Sequence, residues 1–295
     1  MLLRILAFEF RYQLRQPLFW IAFALFFLLT FGAITTDAVT LGGSIGSVNR
    51  NAPFVILQMM AVMTAIGTFL TTAFVANSIH RDYECRTDGL FFSLPLKKRD
   101  YLLGRFAGSL LLAIAVFASV MLGVWVGSLM PWLEPSRVGP TMAGPYIEAM
   151  LIFVVPNLFM SGALFFSLAT VTRSMLWTYV GVVVFFVGYG IASVFAAGLE
   201  NQMVAALADP YGIGAFELVT RYWTVSEKNT ASLPFTGALV WNRLLYGGVG
   251  VAALAFTYGW FRFSAAGTGS ARRRRRGEQG EEAEAAREPR AAEAV

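Results

Sequence analysis

Histidine and cysteine each occur once, at His80 and Cys85. A protein zinc site draws three or four ligands from His, Cys and carboxylates, and an HExxH metallopeptidase helix needs two histidines. A Ser–His nucleophile working in the membrane would need its histidine inside an apolar run, whereas His80 lies at the edge of one. One cysteine cannot form an intrachain disulfide. The GxxxxGK[ST] loop that cradles nucleotide phosphates does not occur, so the chain carries no ATPase of its own. Asp, Glu, Lys and His are absent from the central part of every apolar run, which leaves no carboxylate pair for intramembrane proteolysis and no ion or proton relay. The sequence therefore offers no catalytic residue, no cofactor site and no metal site. Energy for any transport comes from another subunit.

The polar chemistry that remains suits contact rather than reaction. In the loop 80–106, HRDYECRTDGLFFSLPLKKRDYLLGRF, the apolar core Gly89 to Leu96 sits between two charged runs. An apolar patch in a water-facing loop marks a contact surface. Two occupants fit it. A short helix ended by Pro95 would seat Phe91, Phe92 and Leu94 in a groove of a cytoplasmic partner, with Glu84, Asp88, Lys97 and Lys98 in the flanks that set register. Alternatively the segment rests on lipid as an interfacial helix. A second stretch, 198–240, carries the turn Asp209-Pro210-Tyr211-Gly212 between two short helical patterns. It reads as an outer cap, with Tyr222, Trp223, Glu227 and Arg243 as its candidate residues. Arg243 either pairs with Glu227 or Glu217 to hold the cap, contacts an anionic substrate, or anchors at the interface with its head in water. The polar stretch 37–53 reads only as an outer loop.

The elements that carry these segments follow from composition. The 295 residues are 57% hydrophobic and 14% charged, against about a quarter charged in soluble domains, and mean hydropathy is +0.61. Six apolar runs, at 17–36, 54–79, 103–130, 147–171, 175–197 and 239–262, each approach or exceed the ~20 residues that cross a ~30 Å hydrocarbon core. No period-2 pattern supports a barrel. The expected fold is an all-α polytopic membrane protein with six transmembrane helices. Pro17 suits a first helical turn, and Trp20, Tyr146, Trp177 and Trp241 lie near span ends, where aromatic rings favour the interface. Thr64, Thr68, Thr71 and Thr72 form a stripe that either packs, with hydroxyls on backbone carbonyls, or lines a pore. Gly104/Gly108, Gly123/Gly127 and Gly247/Gly248/Gly250 allow close helix approach, within the chain or at a dimer interface. Pro156 should kink its span or free a backbone carbonyl.

Charge placement sets orientation. With the N-terminus in the cytoplasm, 18 of the 23 lysines and arginines fall on that side, and 11 against 5 when the tail arginines are set aside; the positive-inside rule then puts both termini in the cytoplasm. Residues 1–16 place Arg4, Arg11 and Arg15 within a stripe of about 40° on a helix. They form an amphipathic helix in the interface or a charged flank that orients the first span. The tail 264–295 is a charged low-complexity segment read as disordered; its Arg272 to Arg276 would bind anionic lipid or act as a stop-transfer flank. Nucleic acid is not expected as a partner.

The N-terminal basic helix, the six spans and the loop Glu84…Asp88-Gly89…Leu94-Pro95-Leu96-Lys97…Tyr101-Leu102-Leu103-Gly104-Arg105 resemble the membrane permease subunit of ABC-2 type transporters, over residues 1 to about 263. The resemblance implies an N-in/C-in, type V exporter-like permease domain at 17–263 in a cell's inner membrane. It also implies a coupling helix in loop 80–106 that docks a separate ABC ATPase, and a second permease copy or homologue as partner. An amphipathic or lipid-like substrate suits the apolar bundle better than a small ion. More narrowly, Asp209, Arg221-Tyr222-Trp223-Thr224, Glu227, Asn229 and Asn242-Arg243 look like the permease halves of proteins that continue into an M1-type aminopeptidase domain. No HExxH occurs here, so the chain is a stand-alone permease or the amino-terminal piece of a longer architecture. The rival reading is a non-transporting membrane scaffold or anchor for a peptidase domain or partner.

Overall fold

The computed structural model describes residues 1–36, 47–84, 97–198 and 201–261, and among these the protein is helical, with no strand. Helix α1 spans Leu2–Leu14, α2 Pro17–Thr35, α3 Pro53–Ile66, α4 Thr68–Glu84 and α5 Lys98–Ser128. After a 3-10 turn at Pro135–Arg137, α6 (Gly144–Ala149) continues through a π-helical segment, Met150–Val154, into α7 (Val155–Thr172). The remaining helices are α8 (Met175–Ala197), α9 (Gln202–Ala208), α10 (Ile213–Thr220), α11 (Val225–Thr230) and α12 (Ala238–Trp260). Five helical stretches are long and apolar enough to cross a membrane, or six if α3 and α4 count as one broken span.

Proline and glycine decide where these helices start and bend. Pro17 and Pro53 open α2 and α3 within the first turn, where a missing N–H costs nothing. The sequence predicts one continuous second span, but α3 and α4 meet at Gly67 with a 49° bend. The ring of Phe117 fills the space a Cβ at Gly67 would occupy, so α5 packs against the broken backbone itself. Thr64, Thr68, Thr71 and Thr72 flank this break, fully buried, and each donates its hydroxyl to a backbone carbonyl three or four residues earlier, Thr68 and Thr71 across the break to Thr64 and Gly67. The packing alternative for that stripe therefore holds.

The glycines of α5 are consumed inside the chain. A Cβ at Gly108 would lie 2.7 Å from Glu9 Cβ and 2.9 Å from the Leu6 carbonyl, and one at Gly104 would meet Ile5 at 2.9 Å. At the other end, a Cβ at Gly123 would meet the Phe27 carbonyl and Thr30, both at 2.9 Å. Thus α1 and α2 lie in succession along one glycine-bearing face of α5. That face is not free for a second permease copy. In α12 only Gly250 is so used, against Phe159, while Gly247 and Gly248 have nothing within 4 Å.

Two apolar clusters fill the bundle. One joins α2, α3, α5, α10 and the π-helical segment through ring contacts such as Phe26–Phe117 at 5.3 Å and Phe54–Phe216 at 5.0 Å. A smaller one gathers Val75, Ile79, Tyr101, Phe106, Phe166 and Phe261 near the loop that links α4 to α5. The C-terminal end of α4 and the start of α5 mark one end of the bundle, and α9 to α11 cap the other. By contrast α8 turns most of its surface outward, with Val183, Val187, Ile191 and Val194 exposed.

Gly108→Ala should lower the stability of the detergent-purified subunit by about 1–3 kcal/mol, because the added carbon meets α1 backbone. Gly248→Ala should leave stability unchanged or raise it by up to ~1 kcal/mol through helix propensity alone. Thermal unfolding of both variants checks the contrast.

Candidate functional site

At the loop end, three helices converge on a buried ionic cluster. From α1 come Glu9 and Gln13, from α4 Arg81 and Asp82, and from α5 Tyr101, Arg105 and Ser109. Glu9, Gln13, Asp82 and Arg105 are each 3% exposed or less. Arg105 donates through Nη2 to both oxygens of Asp82 at 2.7 Å, and through Nη1 to Glu9 Oε2. The same Glu9 oxygen accepts from Arg81 at 2.9 Å. Tyr101 donates to Asp82 Oδ2 at 2.7 Å, and Gln13 donates to Glu9, to Ser109 Oγ at 2.9 Å and to the Phe74 carbonyl at 3.2 Å. Two carboxylates meet two guanidinium groups, so the cluster is neutral overall. Buried charges persist when paired and hydrogen-bonded in this way.

The sequence treats Arg81 and Arg105 as topology signals and gives Glu9 no role. A readable signal did exist. Tyr101, Arg105 and Ser109 recur at i, i+4 and i+8, which puts a polar stripe on one face of a span's first turns. Glu9 and Gln13 repeat the same spacing on an otherwise apolar and basic helix.

Of the candidate loop residues, Glu84 is the last residue of α4, Lys97 is exposed, and Lys98 opens α5. The Lys98 ammonium lies over the Tyr258 ring at 4.6 Å and nearer than the Phe261 ring at 6.0 Å, which ties the loop's exit to the end of α12. Asp88, Phe91, Phe92, Leu94 and Pro95 lie outside the described residues.

At the cap end, a second buried network centres on Arg243. Its Nη1 donates to Asn157 Oδ1 at 2.6 Å and to the Ile152 carbonyl at 3.5 Å, and its Nη2 donates to Asn242 Oδ1 at 2.5 Å. Pro156 has no N–H for the carbonyl four residues earlier, which is that of Ile152. The expected free carbonyl is therefore present, and Arg243 takes it up beside the π-helical segment. Asn242 donates to the Ala206 and Asp209 carbonyls, both at 2.8 Å, and Asn157 donates to Thr64 Oγ1 and to the Tyr211 carbonyl. The Tyr211 hydroxyl meets Thr68 at 2.7 Å. Asp209 accepts from the Tyr211 and Gly214 backbone amides, and Gly212 takes a positive φ of 74° that lets Arg243 pass close by.

Arg243 consequently corrects two expectations. It is 7% exposed, so its head is not in water, and amides rather than Glu227 or Glu217 receive its hydrogen bonds. Glu227 instead closes a capping box at the start of α11, accepting from the Thr224 amide at 2.7 Å and its hydroxyl at 2.8 Å; these bonds hold its carboxyl below the usual range. Trp223 packs against the larger apolar cluster, whereas Tyr222 is 86% exposed. Tyr222, Trp223 and Glu227 thus share one segment, Arg243 lies beyond it in α12, and the four do not form one site. Beside them a cleft of about 520 Å³ is lined by Tyr189, Ser193, Asp209, Glu217 and Arg221 among others. Burial pushes the Glu217 carboxyl upward, with Asp209 adding to the shift.

Apolar helices of membrane-crossing length, with charge compensated at one end and a polar cap at the other, define a multi-pass helical membrane protein. The family described as "ABC-2 family transporter protein" matches residues 3–264. The chain belongs to that family, whose members are membrane permease subunits of ABC transporters and work with an ATPase subunit. No curated protein matches the chain.

Arg105→Met should destabilise the subunit by about 3–5 kcal/mol, since it leaves Glu9 and Asp82 buried with only Arg81 to compensate them. Asp82→Asn added to it should restore part of that loss. Chemical unfolding of the single and double variants in detergent measures both.

Proposed function

We propose that this chain is the permease half of an ATP-driven exporter, with both termini and the loop 80–106 in the cytoplasm. Glu84, Asp88, Phe91, Phe92, Leu94, Pro95, Lys97 and Lys98 dock a separate ABC ATPase. A second permease copy completes the translocation path. The observation that carries this reading is the Glu9–Arg105–Asp82 cluster, which fastens both stems of that loop to each other and to α1. A loop whose roots are locked together passes an applied force to two spans at once. Nucleotide-driven closure of the ATPases would pull the loop and tilt α4 and α5 as a unit, and the bend at Gly67 absorbs the change in angle.

The outward-facing surface of α8 supports a second permease copy, because only 6% of its span is buried within the chain. Tyr222, Trp223, Glu227 and Arg243 belong to the outer cap, Arg243 by holding its underside. The substrate is amphipathic or lipid-like, consistent with a bundle lined by apolar side chains and hydroxyls that are already hydrogen-bonded.

Coupling is tested by purifying the complex and measuring ATP hydrolysis in reconstituted vesicles. The double change Phe91→Asp and Phe92→Asp should lose the ATPase on purification and lower hydrolysis at least tenfold. Unchanged association and hydrolysis would overturn the coupling role in favour of a non-transporting scaffold. Orientation has its own test in a Cys85→Ser background. A cysteine replacing Tyr222 should react with a membrane-impermeant maleimide on intact cells, and one replacing Lys97 should react only after permeabilisation; the reverse pattern inverts the topology.

A further inference from the structure

On the side of α1 away from the ionic cluster, the start of the chain forms a cationic groove of about 850 Å³. Arg4, Phe8, Arg11, Tyr12, Arg15 and Gln16 line it, and Pro17 closes the end where the first span begins. Its volume falls within the ~300–1,000 Å³ of small-molecule sites. All three arginines are exposed, and no acidic residue lines the groove. The carboxylate of α1, Glu9, points the other way into Arg105 and Arg81. Behind the wall Arg81, already paired with Glu9, stacks its guanidinium 4.0 Å from the Tyr12 ring centroid and fixes that side of the groove. Three guanidinium groups lining one groove with no acidic residue in its wall favour an anion, and their planar forks match phosphate oxygens.

The surroundings distinguish a lipid phosphate from a free one. Beyond Pro17, α2 carries Leu18, Ile21, Leu25 and Leu28 as an exposed apolar stripe. Ten residues of helix rise about 15 Å, which is one leaflet of a ~30 Å hydrocarbon core. Trp20, exposed one turn into α2, sits where interfacial rings collect. Groove and stripe together offer a phosphate seat at the boundary and an acyl-chain track leading inward.

We infer that this groove is a discrete binding site for one anionic phospholipid, with the headgroup phosphate held by Arg11 and Arg15 next to Pro17, Arg4 adding positive charge farther along the groove, and an acyl chain laid along α2. The site depends on the chain's placement in a membrane and is independent of ATPase coupling. Through α1 a bound lipid would brace the helix that supplies Glu9 to the ionic cluster.

Native mass spectrometry of the detergent-purified subunit tests this, with phosphatidylglycerol and phosphatidylcholine of matched chains as probes. The wild-type chain should retain one phosphatidylglycerol at least tenfold more strongly than phosphatidylcholine. Arg4→Gln, Arg11→Gln and Arg15→Gln combined should abolish that preference, and unchanged thermal unfolding shows that the variant is folded. Arg137→Gln, away from the groove, should retain the lipid. Equal retention of both lipids by the wild type, or undiminished phosphatidylglycerol on the triple variant, overturns the inference. Displacement of the lipid by an equal concentration of glycerol 3-phosphate overturns it in favour of a free-phosphate site. Loss of a co-purifying ATPase with the lipid preference intact makes the groove a protein-docking face instead.

Discussion

Charge compensation around Arg105 is the constraint on which the loop end of the bundle depends. Moving a single ion of this size into a low-dielectric interior has an idealised cost of order 20 kcal/mol, far above any one aromatic contact at about 0.5–1.5 kcal/mol. The four charged side chains come from three helices, so none of α1, α4 and α5 can leave without stranding a charge on the others. The glycines of α5 make the arrangement attainable. Only because Gly104 and Gly108 admit the α1 backbone does the short Glu9 side chain reach Arg105. Small residue, close approach and buried ion pair form one dependency that runs from composition to architecture.

The cap end solves a related problem with neutral groups. Arg243 is surrounded by the carbonyl oxygens of Asn157, Asn242 and Ile152, and each asparagine spends its amide nitrogen on another element of the cap or bundle. Two helix irregularities meet in this network. Thr64 and Thr68 flank the break at Gly67, and Asn157 follows the π-helical segment and Pro156; the Asn157–Thr64 bond joins them at 2.8 Å. Backbone groups released where a helix departs from regularity need partners in the membrane. Here those partners are side chains that also hold the cap.

Much of the fold was legible because membrane helices announce themselves by length and hydropathy. The carbonyl freed by Pro156 and the threonine stripe were also readable, since each rests on local backbone chemistry. What could not be read was pairing across the chain. Glu9 and Arg105 are 96 residues apart, and nothing local tells an arginine that sets topology from one that is buried on a carboxylate. Arg243 misled for the complementary reason. Opposite charges nearby in sequence, Glu217 and Glu227, suggested partners, whereas Glu227 was already committed to its own helix cap. The glycine pairs of α5 revealed close packing but not its addressee, because the same spacing serves a helix of the same chain and a helix of another.

The two ends differ in the strength of what holds them, and that difference has a direction. Hydrogen bonds between neutral groups contribute about 0.5–1.5 kcal/mol each, and those involving an ion about 1.5–3. The Arg105 cluster is made of charge-to-charge bonds, with Tyr101 and Gln13 added around them. In the cap the cation donates to neutral acceptors, the Asp209 carboxylate is spent on backbone amides, and the outer bonds, from Asn242 to α9 and from Tyr211 to Thr68, are neutral throughout. A displacement entering at the loop therefore encounters a unit that moves whole, then the bend at Gly67, then a network whose outermost bonds are the cheapest to exchange. Under the coupling proposed above, strain applied where α4 and α5 meet would be released first at the cap. The proposed export reading asks for opening on the side opposite the energy source, and the way charge pairs, broken helices and amide bonds are distributed between the two ends of the bundle suits that proposal.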